Sequence, residues 1–293
     1  MTAPGPAAPP PPPVGPPRST EPPAWFAPAF VPYRPRWFAL PQDVRWGVPS
    51  ALLPWGVFLA LIGLQFGLAA VLQAARLRLP HEPTAFVVEL GGYLVLAATV
   101  VLVVRRGGGR LGRDLGLAIR AIDLAIGLGG FVVATLARTI LVALAIGIVG
   151  RPSHTNVTIE PDPTWFLLTN VLVACVVAPV VEESMARGLL LRAVRSSALR
   201  RGMGRGVAAD DRGLQARAAW LAILASSLVF TLAHIWEGFD DPRVIVALVA
   251  ATLPTAFVAG ALAIRTGRLG AGIVVHVLTN LSATLLGLSQ LHS

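Results

Sequence analysis

Apolar residues in this chain run in long unbroken blocks rather than alternating with polar ones. Seven blocks stand out, at roughly 50–73, 85–104, 122–149, 166–190, 218–236, 244–264 and 270–288. A helix needs about 20 apolar residues to cross the hydrocarbon layer of a membrane. Each block therefore predicts one span, and the fold class is all-α: a polytopic transmembrane bundle of about seven membrane-spanning helices. The third block is long and is expected to tilt or break near Gly127, Gly129 and Gly130. The fourth carries charges near its end and Pro179, whose missing N–H and bulky ring predict a kink.

The remaining segments organise the chain. Residues 1–45 hold most of the proline, with an uninterrupted run from Pro9 to Pro13. Such a stretch cannot build helix ladders and is expected to be a disordered tail. It has no apolar core of the kind a signal peptide carries. Trp25, Phe26, Phe30, Tyr33, Trp37, Phe38 and Trp46 then cluster before the first span, as rings that settle at the headgroups do. The expected divisions are this tail, N-terminal transmembrane helices over 46–114 and a core over 115–293.

Composition agrees with a membrane protein. Hydrophobic residues make up 55% of the 293 residues and charged ones 13%, about half the share of an average soluble domain. One cysteine, Cys175, rules out a disulfide scaffold. The net charge of +9 comes from Arg alone, since the chain has no Lys. Those arginines sit between apolar runs rather than on one basic face, so no nucleic-acid partner is expected.

Their distribution orients the chain. Arg counts in the successive connecting segments are four, two, five, one, seven, one and two, with none in the C-terminal tail. High and low values alternate, as the excess of Arg and Lys on cytoplasmic loops requires. The N-terminus and the loops at 105–121 and 192–217 are expected in the cytoplasm, and the C-terminus outside.

Ionisable groups inside a span are costly and mark function by default. Glu182 and Glu183 lie in the fourth block and point about 100° apart on a helix, so they are expected to do different jobs. Glu183 stands four residues before Arg187, the favourable order for an ion pair on one helix. Glu182 is left without a partner close in sequence, and a desolvated carboxylate can serve as a general base. His234 lies in the fifth block. His276 and Asn280, four residues apart in the seventh, share a face. Glu and His can activate a water, and His and Asn can donate to an oxyanion. Equally, Glu182, His234 and His276 form a set that can hold zinc. Spacing alone leaves both open. Glu89 and Arg138 are expected to pair with each other, Asp123 to favour a helix start, and Cys175 to pack as an apolar residue.

Glu-Glu-x-x-x-Arg at 182–187, Phe-x-x-x-His at 230–234 and His-x-x-x-Asn at 276–280 follow in order on three apolar segments. The triple resembles the CAAX prenyl protease 2 and bacteriocin-processing family (CPBP, Abi), intramembrane endopeptidases often classed with the metalloproteases. The likeness extends over about residues 115–288. It implies that Glu182 activates water with His234 assisting. It implies that His276 and Asn280 stabilise the oxyanion or complete a metal shell, and that Glu183, Arg187 and Phe230 support the site. One position departs from the pattern: the family commonly has Phe before the Arg, and here Ala186 stands there, which bears on the substrate cleft rather than on the chemistry.

The expected activity is thus a multi-pass cell-membrane endopeptidase. It would cleave membrane-associated peptides or lipid-modified protein C-termini, among membrane lipid, with a divalent metal (zinc) or by a metal-free glutamate mechanism. The alternative is a non-catalytic scaffold or bacteriocin-immunity protein of the same fold. A proton-coupled transporter is disfavoured because no internal repeat is visible. One tension remains in the expectation. At about 1.5 Å per residue, Glu182 lies about 15 Å from Arg192 and His276 about 12 Å from Arg268, but His234 about 26 Å from Arg217. For the three to meet, the fifth helix must begin outside the membrane or tilt strongly.

Overall fold

A computed structural model describes residues 44–154, 157–209 and 211–291. The Pro-rich segment up to residue 43, with Trp25, Phe26, Phe30, Tyr33, Trp37 and Phe38, lies outside the described residues. Among the described residues seven helices are long and apolar enough to cross a membrane, and none forms a strand. They are α1 (Val48–Ala74), α2 (His81–Arg106), α3 (Ala121–Val149), α4 (Pro163–Met203), α5 (Arg212–Leu232), α6 (Pro242–Thr266) and α7 (Gly270–Leu291).

Helix α4 is the axis of the bundle. Every residue from Glu183 to Ala193 is buried, whereas α1 fully buries only Ala51, Pro54 and Trp55. Helices α1 and α2 pack together and against the middle of α4, α3 lies on α6 and α7, and α5 joins α6 to the C-terminal part of α4. Apolar contact concentrates around Met185, Leu189 and Leu190 of α4, with Leu96, Val100 and Val104 of α2, Leu115, Phe230 and Ile273 closing round them.

The expected break at Gly127–Gly130 does not occur. All three lie in an unbroken α3, and Gly127 and Gly130 let it approach its neighbours closely: a Cβ on Gly127 would stand 2.5 Å from Val274 Cβ, and one on Gly130 2.8 Å from Leu262 Cδ1. Asp123, fully buried, holds the start of α3. It accepts from the Arg120 N–H at 2.8 Å and from Arg268 Nη2 and Nε at 2.6 and 3.1 Å, which clamps that end onto the α6–α7 turn.

Helix α4 continues through Pro179. The helix winds with the wider i→i+5 pattern over Phe166–Val177 and again over Ser184–Leu190, with an α-helical stretch, Ala178–Glu183, between them. Such π turns absorb an extra residue and concentrate at functional sites.

Two further expectations are corrected. Trp46 is not an exposed ring: it is buried against the 107–109 turn, and its Nε1 donates to Leu189 O at 3.2 Å. Among the described residues no ion pair joins Glu89 to Arg138, since α2 packs on α1 and α4 while α3 packs on α6 and α7. The depth conflict also resolves. Helix α4 runs on past Arg192 to Met203, and α5 begins at Arg212. From those ends Glu182 and His234 are about equally deep, at roughly 30 Å along each helix. Arg192 is not a loop residue: it is buried in α4, and its Nη2 donates to Gly267 O at 2.9 Å, level with the α6–α7 turn.

Candidate active site

Glu182, Glu183 and Arg187 come from α4, Phe230 from the last turn of α5, and His276 and Asn280 from α7. His234 was expected within the fifth span. It lies instead just past α5, in the turn leading to a short 3₁₀ segment, Ile235–Gly238.

The two glutamates do face different partners. Glu183 Oε1 accepts from Arg187 Nη1 at 3.0 Å, the pair its spacing predicts, and from His276 Nδ1 at 3.2 Å. Arg187 is fully buried. Its Nη2 donates to Ala256 O of α6 at 2.7 Å, and its guanidinium lies over the Phe230 ring, 4.7 Å from the centroid. The same ring touches both imidazoles, with centroids 4.7 Å from His234 and 5.5 Å from His276.

Glu182 turns the other way. Its Oε2 stands 3.9 Å from His234 Nε2 and 3.7 Å from His276 Nε2. These gaps are too long for direct hydrogen bonds. The tautomers follow from what lies behind each ring. His234 Nδ1 is 2.8 Å from Phe230 O, and a carbonyl only accepts, so Nδ1 donates. His276 Nδ1 meets the Glu183 carboxylate, which likewise accepts. In the neutral rings both Nε2 atoms then present lone pairs toward Glu182 Oε2.

Two lone-pair nitrogens and a carboxylate oxygen are donors that zinc accepts, but the spacing is wide. Ligand atoms bonded to zinc stand about 3.3 Å apart. Here the separations are 3.7 and 3.9 Å, and among the described residues no group of three or more His, Cys, Asp or Glu closes to metal-binding spacing. Glu182, His234 and His276 as arranged do not fit a metal ion.

Asn280 is placed differently from its neighbours. Its Nδ2 donates to Ala174 O of α4 at 2.8 Å. The i→i+5 winding explains why. The Ala178 N–H reaches back to Val173 O, so the next donor in that register is residue 179, a proline with no N–H. Pro179 orphans the Ala174 carbonyl, and Asn280 supplies the missing hydrogen bond.

Two residues that sequence reasoning missed complete the site. Tyr93 of α2 donates its hydroxyl to Glu182 Oε1 at 2.8 Å. Trp55 of α1 lines a small cavity with Phe58, Tyr93, Leu96, Met185 and Phe230, beside Glu182 and His234. The available signal for Tyr93 was that it is one of two tyrosines in the chain and lies in an apolar span, one turn after Glu89.

Residues 163–282 match the family model described as Rce1-like, Type II CAAX prenyl endopeptidase Rce1-like. No curated protein and no solved structure matches the chain. The chain therefore carries a domain of the Rce1-like type II CAAX prenyl endopeptidase (CPBP/Abi) family over those residues, which implies a membrane protease.

Proposed function

We propose that the protein is an intramembrane endopeptidase in which Glu182 activates water with the help of His234. The observation that carries this reading is the convergence of both histidine Nε2 atoms on one oxygen of Glu182, at 3.7 and 3.9 Å. A water beside Oε2 can donate one proton to Glu182 and the other to His234 Nε2, which orients it. As its oxygen adds to the scissile carbonyl, Glu182 takes the proton and then delivers it to the leaving amide nitrogen. The C–N bond breaks, leaving one new carboxylate and one new amine. A ring that takes a proton from solvent at Nε2 before the attack offers an N–H to the developing oxyanion. His276 is the better placed for that role, because its Nδ1 is already fixed on Glu183 and its Nε2 faces the site.

The substrates on this reading are membrane-associated peptides or lipid-modified protein C-termini. The apolar side chains beside the carboxylate, Trp55, Phe58 and Leu96, suit chain segments that arrive from the bilayer. The N-terminus lies in the cytoplasm.

Comparison of new peptide termini in membranes from cells with wild-type protein or Glu182→Gln, at equal protein levels, tests the activity. Termini absent from the variant are the expected result. Identical sets of termini, with any biological effect preserved, would leave a non-catalytic scaffold.

A further inference from the structure

Resting on the peptidase reading, we infer that Tyr93, from a helix outside the matched family domain, is the positioning residue that selects which oxygen of Glu182 acts as the base. A carboxylate has two equivalent oxygens, and a catalytic water needs one in a fixed place. Tyr93 breaks the equivalence. Its hydroxyl donates to Oε1 at 2.8 Å, and the histidine nitrogens gather at Oε2.

The surroundings make that hydrogen bond consequential. Trp55, Phe58, Leu96, Met185, Phe230 and Ala233 wall the cavity at Glu182, and its lining is nearly all apolar. Without the tyrosine hydroxyl, Oε1 would face apolar side chains with no donor. A carboxylate that loses a charge-assisted hydrogen bond favours its neutral form, and its oxygens are free to exchange positions. The ring of Tyr93 belongs to the wall and its hydroxyl to the chemistry, so the two contributions separate in Tyr93→Phe.

The test follows the rate at which Glu182-dependent termini appear in isolated membranes across a pH series, for wild type, Glu182→Gln, Tyr93→Phe and Leu96→Ala. Tyr93→Phe is expected to yield the wild-type set of termini about tenfold more slowly near neutral pH, a loss typical of one hydrogen bond to a charged group. The deficit should narrow as pH rises. Leu96→Ala opens the same wall without touching the carboxylate; it should change the choice of termini while its pH dependence stays that of wild type. A Tyr93→Phe deficit that is constant across pH, no deficit at all, or the same pH-dependent deficit in Leu96→Ala would overturn the role given to the hydroxyl. If no termini depend on Glu182, the peptidase reading itself fails, which is a separate outcome.

Discussion

Arg187 is the most heavily committed side chain near the site. It is fully buried, paired to Glu183, bonded to the Ala256 carbonyl and stacked on Phe230. Removing one partner of a buried ion pair leaves the other charge uncompensated, at a cost of about 3–5 kcal/mol. Arg187→Ala is therefore expected to lower the thermal unfolding temperature in detergent strongly, by a stability loss of that size. A loss below about 1 kcal/mol, the value of an exposed pair, would show that Arg187 holds nothing together. This interaction was legible in the sequence because its partners are four residues apart on one helix. The Tyr93–Glu182 bond was not, because its partners are separated by 89 positions and nothing in either span marks the other. The Asn280–Ala174 bond was hidden for a different reason: it depends on which register the backbone adopts around Pro179.

At the scale of elements, spans were the easiest feature to read. Twenty apolar residues in a row carry their own signal, and the observed helices differ from the expected blocks mostly at their ends. The largest differences are in α4 and α5. The apolar block of α4 stops near residue 190, but the helix continues to Met203 through Arg192, Arg195, Arg200 and Arg201, because α5 packs alongside it and Gln215 accepts from Arg195 Nη2 at 2.7 Å. Hydropathy does not register a helix stabilised by a polar neighbour. The π winding was equally invisible, since it changes hydrogen-bond register without changing composition. Outside the membrane, Asp241 caps α6. Hydrogen bonds from Ser153, then from the Arg243 N–H, hold its carboxyl below the usual carboxylate range and tie Ser153 to that helix end. A depressed carboxyl contributes while it is ionised, so this tie is present from mildly acidic pH upward and is lost only as pH falls through the depressed value.

For the whole molecule, orientation is the open quantity that the arginine pattern addresses. Cys175 is buried and so silent to a membrane-impermeant thiol reagent. Arg113 and Asp240 are exposed at opposite ends of the bundle's charge pattern, with side chains 80% and 71% accessible. With the N-terminus in the cytoplasm, Asp240→Cys should label in intact cells and Arg113→Cys only after the membrane is opened. The reverse pattern would invert the chain in the bilayer. The three motifs and their order were readable because each carries an ionisable group where lipid penalises one. The wall contributed by α1 and α2 was not, because Trp55, Phe58 and Leu96 look like any other lipid-compatible residues until the fold brings them against Glu182.

The hydrogen bond between Asn280 and the Ala174 carbonyl has an evolutionary corollary. Positions 179 and 280 cannot drift separately. While residue 179 is proline, replacing Asn280 by Ala strands a carbonyl, at about 1–3 kcal/mol if it stays buried. Once residue 179 has an N–H of its own, α4 can satisfy that carbonyl internally and the same change at 280 becomes cheap. A double-mutant cycle with Pro179→Ala and Asn280→Ala, read by thermal unfolding, should therefore show the pair of changes costing less than the sum of the two. Strict additivity would mean that the positions are free to vary independently after all.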